Sequence, residues 1–352
     1  MVENRKHLRI GIIGAGAYAC SAHLPVFQKT RGVRVVAACR SHEQRLKKTC
    51  ERFKIPSGYL DYHEMLDKED LDGVLIASPH ANHYEHAHAA LEHGIAVLLE
   101  KPMTLEVKHA KELVELAQKR RLPLLVGYNR HYWLNFKQAR ELIQDGELGE
   151  LRFICARWVA DIEWALAQTK PPDWFREHAS YGNESDPNFR GNLKASGGGM
   201  FIDGGTHMAD AILWTTGLQP ATVWAIMDNR GYQTDCDTAA VIQFKGGAIA
   251  SCGVMGATKS LIEHDLVIHG TDGSVFLNDK QLIIQRNGKS EDTFSELGEY
   301  SSPAANFIGV LAGDEQPICD GVDGWRAVVL TQAVYESASR GKTVTISQWP
   351  QT

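Results

Sequence analysis

Three side chains in this sequence have the type and spacing to move protons. Lys101 stands in Glu100-Lys101-Pro102, directly after the apolar run Ala96-Val97-Leu98-Leu99. A lysine at the carboxyl end of a buried strand is partly desolvated and can stabilise negative charge growing on a reacting oxygen. Asp203 and His207 follow Gly197-Gly198-Gly199 with i, i+4 spacing, which on a helix puts both on one face. An imidazole is the natural general base near neutral pH, and a neighbouring carboxylate can orient it or bind a hydroxyl. The three glycines are expected to permit a close approach to a bound group. Plainer accounts stay open for the same residues: a surface lysine beside a turn, and a structural histidine with a capping aspartate.

A second group of residues has the spacing of a phosphate cradle. Gly14-Ala15-Gly16-Ala17-Tyr18-Ala19 fits G-x-G-x-x-[G/A] between a strand pattern, Leu8 to Ile13, and a helix pattern near Ala22 to Thr30. In that setting the first glycine makes the tight turn and the second admits a pyrophosphate. The small third residue lets the helix pack on the sheet, and the anion sits at the helix N-terminus. Where an acid binding the ribose 2′-hydroxyl is expected, the second strand ends in Cys39-Arg40-Ser41, with Arg45 one turn on. A guanidinium matches a 2′-phosphate, so NADP is expected ahead of NAD. The competing accounts are that Arg40 stacks on adenine or faces solvent. Ser78, Pro79 and His83 after the run Val74 to Ala77, together with Glu100, Lys101 and Asn129, complete the expected cofactor crevice.

These groups need a scaffold, and the periodicities supply one. Up to Gly127 short apolar runs alternate with helical stretches: Val33 to Ala38, Gln44 to Phe53, Val74 to Ala77, His83 to Glu92, Ala96 to Leu99, Leu105 to Lys119 and Leu124 to Gly127. That alternation predicts an α/β domain with a parallel sheet. After the helix Phe136 to Asp145 come longer alternating strands: Leu151 to Ala160, Thr222 to Met227, Thr238 to Phe244, Ala248 to Val254, Glu263 to Gly270 and Leu282 to Arg286. They predict an α+β domain with a large open, mainly antiparallel sheet. The division expected is 1–127 and 128–352, with a final helix, 325–340, that could pack back near the first domain.

Composition narrows the class. The 352 residues suit about two domains, and with 43% hydrophobic residues, 23% charged residues and a net charge of -6 they can fill real cores. No basic block marks a nucleic-acid partner and no apolar run reaches membrane-spanning length. Seven scattered cysteines without a Cys-x-x-Cys pair argue for reduced thiols and a cytoplasmic location. The first apolar strand reaches its glycine turn too soon for a signal-peptide core. His80, His83 and His86 have i, i+3 spacing, but no cysteine or carboxylate set completes a metal site, so none is expected. Trp158, Trp164 and Trp174 lie in or before a long aperiodic stretch, where aromatic faces could stack on sugar C–H faces. Asn129, Arg157, Arg176 and Arg190 could bond hydroxyls or a carboxylate. The plain account of the tryptophans is packing.

The chain resembles the Gfo/Idh/MocA oxidoreductases, the glucose–fructose oxidoreductase and inositol dehydrogenase family. The resemblance rests on Gly14-Ala15-Gly16, Ala77-Ser78-Pro79 with His83, Glu100-Lys101-Pro102 and Gly127-Tyr128-Asn129-Arg130. It continues through Gly197-Gly198-Gly199 followed by Asp203, His207 and Asp210, then Trp214 and Gly217. It implies a Rossmann domain followed by an open sheet whose outer face joins copies into a homodimer or homotetramer. It also implies Lys101 as catalytic lysine, His207 as proton-transfer residue and Asp203 beside it. The expected activity is hydride transfer between NAD(P) and a hydroxyl-bearing carbon of a sugar or polyol. The expected substrate contacts are Lys101, Asn129, Trp158, Trp164, Arg176, Arg190, Asp203 and His207. Two alternatives share much of this machinery: a glycosidase or epimerase that oxidises transiently with tightly held NAD(H), and a non-catalytic dinucleotide sensor. The chain departs from the simpler members in Arg40, where many NAD-using relatives carry Asp, and in the extended stretch Ala165 to Ser196.

Overall fold

The structure, a computed structural model, describes residues 7–170, 189–259, 263–286, 289–295 and 298–351. They form two compact units. The described part of the first runs over residues 7–127 and 302–321, and the second takes in the rest.

In the first unit six parallel strands lie in the order β3-β2-β1-β4-β5-β6. They are β1 (Leu8–Ile13), β2 (Val33–Cys39), β3 (Ser57–Tyr59), β4 (Gly73–Ile76), β5 (Ala96–Leu99) and β6 (Leu124–Val126). Every residue of β4 and β5 is buried, because a parallel sheet is covered on both faces and can carry apolar side chains at successive positions. The order reverses between β1 and β4, the switch point at which such sheets bind ligands. The core joins Ile10, Ile12, Leu75 and Leu98 of the sheet to Phe27 and Phe307.

Phe307 comes from a helix absent from the periodicity reading, Pro303–Ala312. It is apolar nearly all round, so no single stripe stands out. Its start is nonetheless written in local chemistry: the Ser302 hydroxyl accepts the Ala305 N–H, and Pro303 occupies the first turn. A Cβ on Gly73 would lie 2.7 Å from the Phe307 ring, so glycine there lets the ring lie against β4. The segment 302–321 thus belongs to the first unit, which a single cut at residue 127 does not mark. Strand β3 and the helix Tyr62–Lys68 likewise have no counterpart in the periodicity, since Ser57-Gly58-Tyr59 offers no apolar run.

In the second unit nine strands lie in the order β14-β13-β12-β11-β7-β10-β9-β8-β15. They are β7 (Leu151–Val159), β8 (Pro220–Asp228), β9 (Asp237–Phe244), β10 (Ile249–Met255), β11 (Glu263–Gly270), β12 (Gly273–Asn278), β13 (Gln281–Arg286), β14 (Lys289–Ser295) and β15 (Val344–Thr345). Only the neighbours β7 and β10 run parallel; the other pairs are antiparallel. In β9 Thr238, Ala240, Ile242 and Phe244 are buried while Ala239, Val241 and Gln243 are exposed, the two-residue period of a sheet packed on one face. Helices cover that face; the Ser337 hydroxyl of Gly321–Arg340 accepts the Ala225 N–H of β8. No described helix is long and apolar enough to cross a membrane.

Candidate active site

The glycine loop of the first unit leaves β1 beside the carboxyl ends of β2 and β4. Gly14 has φ 82°, and a Cβ on it would lie 2.4 Å from the Ser78 amide nitrogen. Conformation and space both require glycine there. Gly16 is different. A Cβ on it would meet nothing nearer than the Gly14 carbonyl at 3.8 Å. The chain's own packing leaves that room over, as an approaching diphosphate requires. Residues 17–29 are helical and Ala19 is fully buried in the core. The first-turn amides of a helix lack intrahelical acceptors and favour an anion. Arg40 donates from Nη1 to the Ala15 carbonyl at 3.2 Å, which sets its guanidinium against the loop. Ser41 is exposed, and Arg45 is half-buried with its amide donating to His42 Nδ1. Ala17 and Tyr18 are half-buried, Tyr18 with its ring edge-on to His23. Open space at Gly16, a helix start and an adjacent cation fit a dinucleotide.

Lys101 is held by its neighbours. Glu100 is buried, with Oε1 2.7 Å from His23 Nε2 and Oε2 accepting the Lys101 N–H at 3.2 Å. A Cβ on Gly127 would lie 2.5 Å from Glu100 Oε1, so glycine there leaves space for the carboxylate. The expected cofactor residue Glu100 is thus engaged in fixing the backbone of Lys101. The Lys101–Pro102 peptide bond is cis. His83 is fully buried between two carbonyls, with Nδ1 2.7 Å from Pro102 O and Nε2 2.8 Å from Ser78 O. Burial pushes its pKa down and the two carbonyls oppose that shift. Burial also lowers His86 to about 4, and its Nδ1 lies 2.9 Å from the Ser78 hydroxyl. His83 and His86 therefore brace the segment from Ser78 and Pro79 to Pro102.

In the second unit Asp203 lies in a π-helical turn, Phe201–Gly205, that runs directly into the helix Thr206–Thr216 carrying His207. Asp203 Oδ2 accepts from Arg190 Nε at 2.9 Å. The His207 ring stacks on Trp158 with centroids 5.2 Å apart and planes 8° apart, and meets Tyr128 edge-on. The Tyr128 hydroxyl is 2.7 Å from Thr206 Oγ1. Trp158 also stacks on His264, its partner across β7 and β11. The Arg130 guanidinium lies over the indole at 4.5 Å and over Trp133 at 4.7 Å. Burial, and then the Arg130 charge, push His264 down to about 2. The His264 ring lies beside Arg130, with Nε2 3.1 Å from Nη2, and the same Nε2 meets the Asp279 carboxylate. Asn129 accepts from Arg130 Nη1 at 2.8 Å.

The description "Oxidoreductase family, NAD-binding Rossmann fold" matches residues 8–128, and "GFO/IDH/MocA C-terminal domain" matches residues 136–276. The D-glucoside 3-dehydrogenase of Escherichia coli (strain K12) is 31% identical over 363 residues, spanning 96% of this chain and 97% of the relative. The chain belongs to the GFO/IDH/MocA oxidoreductase family. A myo-inositol 2-dehydrogenase of Thermotoga maritima is 24% identical, with 97% of this chain and 99% of that protein covered. Among solved structures, the WlbA dehydrogenase from Bordetella pertussis, in complex with NADH and UDP-GlcNAcA, shares the fold with a TM-score of 0.80. It is 20% identical, and the match covers 97% of this chain and 99% of that one.

As a GFO/IDH/MocA protein the chain is an NAD(P)-dependent oxidoreductase, and its structure revises several readings of single residues. Gly198 and Gly199 make room for Tyr335 and Asp235, since a Cβ on either would lie 2.2 Å from Tyr335 Oη or 1.8 Å from the Asp235 carbonyl. Trp158 is 8% exposed and packed under His207. Arg157, next to it in the strand, points to the other face and pairs with Asp265. Trp164 is half-buried and donates to the Asp161 carbonyl. Trp174 and Arg176 lie outside the described residues. Sequence reasoning missed Arg130 and His264 as supports of the indole. Arg130 stood inside a quoted motif, but the packing that uses it is tertiary. Replacing Gly16 by alanine should leave the melting temperature within about 1 °C and weaken dinucleotide binding at least about tenfold. Calorimetric titration with NADP and NAD checks this; unchanged affinity for both would remove the loop from the cofactor site.

Proposed function

We propose that this enzyme oxidises or reduces a hydroxyl-bearing carbon of a neutral sugar or polyol, with NADP as its preferred dinucleotide. The observation that carries the substrate class is the Arg190–Asp203 pair, whose aspartate stands four residues before His207 in the same helical run. Together the two groups bear no net charge, yet they present donor and acceptor chemistry, which suits a polyhydroxyl compound better than an acid. The whole-length likeness to a D-glucoside 3-dehydrogenase supports the same class.

When bound, the nicotinamide dinucleotide supplies the hydride acceptor or donor. The residues do the rest. In the oxidising direction His207 takes the proton of the reacting hydroxyl, and in reduction it returns it. Lys101 stabilises negative charge on that oxygen, and the backbone bond from Glu100 sets where the lysine starts. Asp203 orients the imidazole or holds a neighbouring hydroxyl. Stacking on Trp158 limits the ring to a narrow set of orientations. Arg40, against the glycine loop, favours the 2′-phosphate of NADP.

A second copy of the chain is the proposed partner. Phe153, Trp224, Ile226, Val241, Ile249 and Met255 share the uncovered face of the second unit's sheet and are 39–55% exposed. Six exposed apolar side chains on one sheet face suit an association surface.

Three measurements test these proposals. Lys101→Ala and His207→Ala should each lower kcat about 100-fold or more while dinucleotide binding survives, and near-normal turnover in both would reject the assignment. Arg40→Ala should cut affinity for NADP about tenfold or more, with little change for NAD; equal losses would remove the 2′-phosphate role. Trp224→Glu with Ile226→Glu should shift the mass in sedimentation toward the monomer, and an unchanged oligomer would place the interface elsewhere.

A further inference from the structure

The helical run that carries Asp203 and His207 begins at Met200, and its opening amides have unusual acceptors. A helix leaves its first N–H groups without intrahelical partners, and here a residue far along the chain takes them. Asp235 Oδ1 accepts the Gly199 N–H at 2.6 Å, the Asp235 carbonyl accepts the Met200 N–H at 2.8 Å, and Oδ2 accepts the Phe201 N–H at 2.7 Å. The next amide, Ile202, donates to Tyr335 Oη at 3.1 Å, and that hydroxyl donates to Asp235 Oδ1 at 2.6 Å. Four successive amides are thus collected by two side chains and one carbonyl. The helix's own N-terminal residue, Met200, has no side chain suited to the task. A carboxylate at this end also matches the positive pole of the helix dipole.

The capping segment is itself anchored. Cys236 donates its N–H to the Asp228 carbonyl and accepts the Gly256 N–H. Thr234, beside Asp235, donates to the Arg190 carbonyl at 3.3 Å. The same short stretch therefore holds both the helix start and the arginine that pairs with Asp203. Burial lifts the Tyr335 phenol well above its ordinary range, and Asp235 adds to the shift, so the hydroxyl keeps the proton it donates.

We propose that Asp235 is a positioning residue for the reaction: its carboxylate fixes the helix start and so aims Asp203 and His207. This rests on the reading of His207 as the proton-transfer group. In Asp235→Asn one oxygen becomes an NH2 that cannot accept, so in either orientation at least one of Gly199 and Phe201 loses its side-chain acceptor. Tyr335→Phe removes the hydroxyl that holds Ile202 and with it the bond that this hydroxyl donates to Asp235.

The test is a double-mutant cycle on steady-state turnover of a neutral glycoside, with dinucleotide affinity and melting temperature measured on each purified full-length variant. Asp235→Asn should lower kcat at least about tenfold and leave dinucleotide Kd within about twofold. In the His207→Ala background the same change should cost less than about twofold, since two residues acting through one group do not add. Tyr335→Phe should follow the same pattern with a smaller loss, and it carries the test if Asp235→Asn does not fold. Equal losses with and without His207, or wild-type kcat in both variants, would overturn the proposal. Normal turnover in His207→Ala alone would instead overturn the underlying reading, and with it the role given to Asp235.

Discussion

A β-strand turns successive side chains to opposite faces, and in the second unit that constraint separates the buried face that carries Trp158 from the exposed face that carries Arg157. Along β7 Trp158 points inward, to stack on His207 and His264, while Arg157 points outward to Asp265. A one-residue slip would exchange them, leaving the imidazole without its stacking plane and burying an arginine in its place. The pairing of Trp158 with Val254 and His264 therefore fixes more than the sheet. It determines which face of the unit packs against His207 and which exposes Phe153, Val241 and Ile249.

Buried polar groups impose a second set of constraints. Glu100 sits beside His23, and His131 beside Asp210. Asp235 sits among amides and a phenol. Each would be costly in a dry interior without its partners. Satisfying them requires main chain to come close, and glycines at 127, 198 and 199 allow it. The same partners restrict motion, so Lys101 and His207 both rise from backbone that is held by buried carboxylates.

Much of this was legible in the sequence. The glycine turn, the parallel sheet and the antiparallel sheet follow from periodicity and from residues with unusual backbone freedom. Strand β11 has the bounds its alternation suggests. The grouping of Gly14, Arg40 and Ser78 follows from the rule that parallel strands present their carboxyl ends together. Less legible were features that depend on distant partners. Asp235 and Tyr335 are 100 residues apart, and neither position carries a local pattern. Glycines 198 and 199 suggest space for a bound group, but the chain itself fills it with Tyr335 and Asp235. The helix Pro303–Ala312 was missed because an apolar surface on every side hides its period, although the Ser302-Pro303 start marked it.

The position of that helix in the chain has a consequence for biosynthesis. Ala304, Phe307 and Ile308 complete the core around β1 and β4, yet they are encoded some 180 residues after β6 closes the sheet. Domains generally fold in order of emergence during translation. This nascent nucleotide-binding unit must wait, with apolar surface uncovered, until most of its neighbour has left the ribosome. A fragment cut after Gly127 would carry that gap permanently.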